Sequence, residues 1–235
     1  VKISRHGRNL VMLTRFAAAF PMNCYLVGEE DGLTLVDATT ASPASEVAAH
    51  LAEMGLELRR LVLTHAHGDH AGGVDGVVER FPGIELSIGR REARLLAGDR
   101  TLDPGEPQAS VKGFFEKVMS RPARLLQAGD MVGSLQVVAT PGHTPGHIAL
   151  LDTRDRTLIA GDAFQTRGGV AVAGVLRPLF PFPAMGTWHK PTALASAEAL
   201  AALQPTALAV GHGAILDSPI LAMSAAVDHA RRAFG

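Results

Sequence analysis

One stretch limits this chain more than any other: Leu61 to Gly73, which reads Leu-Val-Leu-Thr-His-Ala-His-Gly-Asp-His-Ala-Gly-Gly. Its apolar opening, Leu61–Leu63, has the character of a short buried strand. His65, His67, Asp69 and His70 then crowd into the six residues 65–70. Side chains alternate along an extended backbone, so His65 and His67 project to one side. Two imidazoles on a common side, followed by a carboxylate and a third imidazole, form the start of a metal site. Neutral imidazole and carboxylate suit zinc and similar first-row ions. Gly68, Gly72 and Gly73 let the backbone turn tightly around such a cluster. A polar loop carrying surface histidines is the bland alternative, and so many donors directly after a strand speak against it.

The rest of the chain supplies a frame. Its 235 residues fit one large domain, 1–235, and a hydrophobic fraction of 47% is enough for a sizeable core. Strand-like runs occur at 24–27, 33–36, 61–63, 84–88, 135–139, 148–151, 157–160 and 207–210. Asp31-Gly32 marks a hairpin with a loop longer than two residues. Ser42-Pro43 reads as an N-cap with proline at the first helical position, opening a helix that stops at Gly55. Helices are expected at about 71–80, 90–96, 111–119, from a Thr192 cap to 203, and at 219–233. Residues 97–110 read as a surface loop. Residues 165–191 mix Gly168, Gly169 and four prolines with large apolar side chains and read as a long loop that covers a substrate. Strands with interspersed helices, several joined by hairpins, predict a mixed α/β (α+β) sandwich rather than one doubly wound sheet.

A formal net charge of -1 gives no general pull toward nucleic acid or an anionic membrane, and no apolar run is long enough to span a bilayer. The single cysteine, Cys24, excludes an internal disulfide and suits a reducing compartment, where it reads as a small buried hydrophobe. With no signal-peptide-like apolar run in Val1–His6, a cytoplasmic location is expected. The expected partner is a small-molecule substrate, and a homodimer is left open.

Four donors in one loop cannot close two metal sites, so further ones are sought just beyond strand ends, where rigid elements can hold them. Thr140-Pro141-Gly142-His143 follows one strand, Gly161-Asp162 another, and Gly211-His212-Gly213 a third. Asp162 or His212 alone would read as a turn carboxylate or a loop histidine; their joint placement raises them above that. Together with Asp37 after the first hairpin, these pieces resemble the metallo-β-lactamase-fold hydrolase superfamily, on its glyoxalase II-like and lactonase-like branch. They run in that family's order over nearly the whole chain. The resemblance implies a four-layer αβ/βα sandwich with the site along one edge. It implies that His65, His67 and His143 hold one metal, that Asp69, His70 and His212 hold a second, and that Asp162 bridges them. Zinc is the first expectation for the pair of divalent ions, with iron or manganese as alternatives. Asp37 is expected to orient an imidazole rather than to bind metal, and His147 to be a structural hydrogen-bonder.

Two such ions, roughly 3.5–4 Å apart, can hold a hydroxide that attacks a carbonyl, because coordination lowers the pKa of water toward about 7. Asp69 is the candidate to orient that nucleophile and shuttle its proton. Phe20, Met22, Phe180, Phe182, Met185, Trp188 and His189 are the candidate pocket, apolar enough for an acyl chain or a hydrophobic ring. The stretch after His212 is short for the helical domain that glyoxalase II enzymes append, so a lactone or ester is expected over a glutathione thioester. The rival readings are a mononuclear iron oxidoreductase of the persulfide dioxygenase type and a non-catalytic binding protein with a vestigial site. A nuclease would need a basic track that the charge does not supply.

Overall fold

The computed structural model describes residues 1–40 and 44–235, so the cap expected at Ser42-Pro43 lies outside the described residues. The chain opens with strands β1 (Lys2–His6), β2 (Leu10–Arg15), β3 (Met22–Glu29) and β4 (Gly32–Val36), paired antiparallel in order. Helix α1 (Ala44–Met54) leads to β5 (Leu58–Leu63), which pairs parallel with β4. Helices α2 (Gly68–Ala71) and α3 (Val74–Arg80) precede β6 (Glu85–Gly89), α4 (Glu92–Leu96) and β7 (Arg124–Leu126), and β5, β6 and β7 continue the sheet in parallel. Next come β8 (Met131–Val132), β9 (Leu135–Ala139), β10 (Ile148–Asp152) and β11 (Thr157–Ile159). A small separate ladder, β12 (Phe164–Gln165) with β13 (Ala171–Val172), is followed by α5 (Phe182–Gly186) and α6 (Lys190–Ala202). Strands β14 (Ala207–Ala209) and β15 (Leu216–Asp217) and helix α7 (Ile220–Phe234) complete the order. One sheet runs β1-β2-β3-β4-β5-β6-β7 and the other β15-β14-β11-β10-β9-β8.

Strand alternation builds the layers. In β3, Tyr25 and Val27 point to a core shared with Leu135, Val137, Leu150 and Ile159 of the second sheet. Cys24 and Leu26 point the other way, into a core with Val47 and Leu51 of α1 and Val74 and Val77 of α3. A third core packs Leu158 and Leu208 of the second sheet against Ala197 and Leu200 of α6 and Met223 and Val227 of α7. Helices, sheet, sheet and helices are therefore the four layers. Because both faces of each central strand are covered, strands such as Leu61–Leu63 read as unbroken apolar runs rather than alternating ones.

Several elements differ from the sequence expectation, each for a physical reason. Glu29 pairs with Gly32, which leaves the two-residue turn Glu30-Asp31 where a longer loop is expected. The helix expected over 71–80 is broken at Gly72-Gly73 into α2 and α3. Residues 111–119 form no helix, because their polar groups serve other parts of the chain. Phe114 O accepts from Gly68 N, and Met119 N donates to the Asp75 carboxylate. Helix α6 starts at Lys190 and is capped by His189, whose side chain accepts from Thr192 N, so His189 takes the capping role expected of Thr192. The stretch 165–191 is partly ordered into β13, part of β12, α5 and the first turn of α6.

The two sheets are tied at one edge by buried polar groups. Asn23 Nδ2 donates to Val210 O and Gly213 O, both at 2.8 Å, and the Tyr25 hydroxyl donates to Val210 O at 2.6 Å. Tyr25→Phe is expected to cost about 1 kcal/mol, because Val210 O keeps its Asn23 bond. Asn23→Ala should cost more, since the Gly213 carbonyl and the Thr14 hydroxyl also lose their partner. Urea unfolding of both variants checks the order.

Candidate metal centre

All seven donor side chains named above converge at the carboxyl ends of strands. His65, His67, Asp69 and His70 follow β5, His143 follows β9, Asp162 follows β11 and His212 follows β14. The five imidazoles and Asp162 are buried, while Asp69 is partly open. Three groups bring their donor atoms within 4.8 Å of one another: His65, His67 and His143; His65, His70 and Asp162; and Asp69, His70 and His212. Asp162 lies between the outer two. Its Oδ1 faces His70 Nε2 at 3.4 Å, and its Oδ2 faces His143 Nε2 and His212 Nε2 at 3.4 and 3.3 Å.

What each imidazole does with its other nitrogen fixes how it is turned. His67 Nε2 donates to Lys112 O at 2.9 Å, and His212 Nδ1 donates to Pro21 O at 2.7 Å, since a carbonyl can only accept. His70 Nδ1 donates to Asp37 Oδ2 at 2.8 Å. The Thr64 hydroxyl gives its proton to Asp37 Oδ2, so it accepts from His65 Nδ1 at 3.0 Å. The Thr187 hydroxyl gives its proton to Pro183 O, so it accepts from His143 Nδ1 at 3.2 Å. Every outward nitrogen is thus a donor, an arrangement that orients metal-binding imidazoles. His147 differs: Nε2 accepts from Asp162 N at 3.1 Å and Nδ1 bonds the Thr140 hydroxyl, so both nitrogens are taken within the protein. It braces Asp162, and burial pushes its pKa down to about 3.

The donor set fits a cation. His65 Nε2, His70 Nε2 and Asp162 Oδ1 are buried with no hydrogen-bond partner among the described residues, which is costly for a polar atom. His67 Nδ1 and His143 Nε2 face each other at 3.0 Å. Each outward nitrogen there already carries the ring proton, so two lone pairs meet. Burial drives the pKa values of His65, His67 and His143 down, which keeps them neutral, as a metal ligand must be. Burial also disfavours charge on His70 and His212, but Asp162 and its neighbouring carboxylates outweigh it. They raise His70 well above its usual value and push His212 up to about 10. Burial opposes charge on Asp162 and Asp69 in turn; His212 and His70 overcome it, and both carboxyls lie below the usual range.

The sequence profile of the Metallo-beta-lactamase superfamily matches residues 18–212. The chain belongs to this superfamily. Among curated relatives it is 47% identical over 221 residues to the uncharacterized protein YobT of Bacillus subtilis, covering 94% of this chain and 95% of that one. It is 32% identical to the probable metallo-hydrolase YflN of the same organism, covering 80% and 78%. Among solved structures, the DIM-1 metallo-beta-lactamase superposes with a TM-score of 0.73 at 18% identity, covering 99% of this chain and 97% of that one, which shows the shared fold.

The donors open on a surface cavity. It has a volume of about 410 Å³ and reaches His67, Asp69, His143, Asp162 and His212. Phe20, Met22, Phe182 and Met185 line it. Phe180 does not; it stands behind the wall, packed 5.1 Å from Phe20 and 5.2 Å from His212. Trp188 and His189 are also outside it. Their backbone amides bond His143 O and Gly142 O, the indole Nε1 donates to Ala109 O, and His189 caps α6. They therefore brace the His143 loop. The opposite wall, Gly113, Phe114 and Glu116, escaped the sequence reading because the stretch looked helical. Gly113 was the available signal. Its φ is 96°, and a Cβ there would stand 2.0 Å from His67 Nε2, so only glycine lets this backbone close on the imidazole.

Two carboxylates hold the donor loops in place. Asp37 accepts from Thr64 N at 2.8 Å, from the Thr64 hydroxyl at 2.8 Å and from His70, tying the start of the motif to its end. Glu92, fully buried, accepts from Ala66 N at 2.9 Å, from the Thr144 hydroxyl at 2.8 Å and from Gly146 N at 2.9 Å, joining the His65–His67 loop to the His143 loop. Asp37→Ala is expected to weaken metal binding by about 10–100-fold, measured by competition with a chromogenic chelator. Burial pushes the Glu92 carboxyl up to about 7, against three donors that favour the anion. A raised acid favours the folded state when protonated, so this stabilisation is complete below pH about 4.5 and is lost as the pH rises through about 7. The stability advantage of the native chain over Glu92→Gln should shrink across that window in denaturant titrations. A difference that stays flat with pH would contradict it.

Proposed function

We propose that this chain is a dinuclear metal-dependent hydrolase of small, apolar lactones, esters or thioesters. The observation that carries the reading is the pair of donor groups on either side of Asp162, where His65 Nε2, His70 Nε2 and Asp162 Oδ1 are buried with no hydrogen-bond partner among the described residues. His65, His67 and His143 would hold one ion, Asp69, His70 and His212 the other, and Asp162 both. Zinc suits three imidazoles, and the mixed oxygen and nitrogen set of the second group accommodates zinc, iron or manganese. Bound there, the ions would supply Lewis acidity, making a water more acidic and polarising a carbonyl. Relatives named as metallo-hydrolases support assigning an enzyme.

The chain's own residues contribute the rest. Asp69 borders the cavity, so it can orient a water and accept its proton. Asp37 and Glu92 keep the donor loops in register, which limits reorganisation during reaction. Phe20, Met22, Phe182 and Met185 exclude water from one side of the carbonyl and offer apolar contact to an acyl chain. The protonated states favoured at His70 and His212 mean that protons and metal ions compete for the same nitrogens.

Metal analysis of purified protein, combined with a panel of lactones, thioesters, aryl esters, phosphodiesters and a chromogenic β-lactam, tests the reading. About two divalent ions per chain and chelator-sensitive cleavage of at least one acyl substrate are expected. His67→Ala should abolish the cleavage. One iron per chain with oxygen uptake would favour an oxidoreductase instead. Hydrolysis that survives complete metal removal would sink the proposal.

A further inference from the structure

The cavity walls differ in chemistry. On one side Phe20 and Phe182 meet edge to face with ring centroids 4.8 Å apart. On the other, the segment 113–116 crosses the glycines of α2. A Cβ at Gly68 would lie 2.8 Å from Phe114 Cδ1 and 3.0 Å from Glu116 Cγ, so the Phe114 ring and the Glu116 side chain stand next to each other. Glu116 Oε2 reaches over Gly72, where a Cβ would be 2.5 Å away. This carboxylate is half-buried, and no hydrogen bond or ion pair from the described residues engages it. Among the described lining residues there is no lysine or arginine. Phe114 itself is 70% exposed and lines the cavity.

Aromatic faces beside a carboxylate are the chemistry that recognises an alkylated ammonium group. We propose that this cavity selects acyl substrates carrying a quaternary or alkylated ammonium group remote from the scissile carbonyl, seated against Phe114 and Glu116. The inference rests on the hydrolase reading and narrows its substrate class. A substrate with a remote carboxylate is disfavoured at the same place, since it would meet Glu116 with no cationic side chain to offset the repulsion.

The test uses the metal-loaded protein and two acetate esters that differ only in charge, those of choline and of 3,3-dimethylbutanol. The choline ester is expected to have a kcat/KM about five-fold higher or more, the scale of a partly exposed cation–π contact with an ion pair. Glu116→Gln should bring the ratio toward one, and Glu116→Lys should invert it. Phe114→Ala should reduce the preference as well. A ratio near one in the native chain, a ratio untouched by Glu116→Gln, or a preference for the hemisuccinate ester over both would overturn the inference. Chelator-sensitive cleavage of the neutral ester without any charge preference would leave the hydrolase reading standing and remove only this one. If neither ester is cleaved, calorimetric binding decides: choline binding no tighter than 3,3-dimethylbutanol refutes the ammonium site.

Discussion

Two imidazole nitrogens that turn lone pairs toward each other across 3.0 Å, as His67 Nδ1 and His143 Nε2 do, repel unless a cation lies between them. The rest of the molecule is arranged to hold that contact. Lys112 O takes the outer proton of His67, and the Thr187 hydroxyl takes that of His143. Neither ring can turn over without leaving a buried donor unpaired, which costs more than the bond itself contributes. The same logic governs His65, His70 and His212, whose outer protons end on Thr64, Asp37 and Pro21 O.

These acceptors come from widely separated parts of the chain, which is why the site requires the whole sandwich. Pro21 lies just before β3, Lys112 in the irregular segment after α4, and Thr187 at the end of α5. Asn23 and Tyr25 then fasten β3 to the strand end that carries His212. Two backbone-strained residues sit beside the donor motif. Asp37 has φ 62° and Thr39 has φ 53°, conformations rare for residues with a Cβ. Three hydrogen bonds to the Asp37 carboxylate keep it there.

Rigidity at the donors contrasts with the cavity rim. The donor imidazoles are almost wholly buried, whereas Phe114, Phe182 and Met185 leave half or more of their surface open. Side chains of that kind are adaptable in what they contact, while the backbones behind them are anchored: Gly68 N bonds Phe114 O, and the Asp75 carboxylate holds Met119 and Ser120. A fixed centre under an open, chemically uneven mouth lets one donor set serve different substrates through changes at the rim.

The donors were legible from the sequence because their chemistry is local: each sits in a short motif directly after an apolar run, and strand ends are where such side chains are held. Layer order was legible for a related reason, since strands covered on both faces must be apolar throughout. Irregular segments were not. Residues 111–119 carry a helical spacing of apolar side chains, yet His67 and Gly68 claim their carbonyls and Asp75 their amides. Trp188 and His189 read as pocket residues because of their neighbours in sequence, and they point instead to Ala109 O and to the start of α6. Glu92 gave no sequence sign of joining two donor loops. Sequence alone determined which side chains could bind a cation and in what order they occur. The tertiary structure decided which nitrogen of each imidazole is free and what lines the way in, because both depend on hydrogen-bond partners and wall residues that lie far away along the chain.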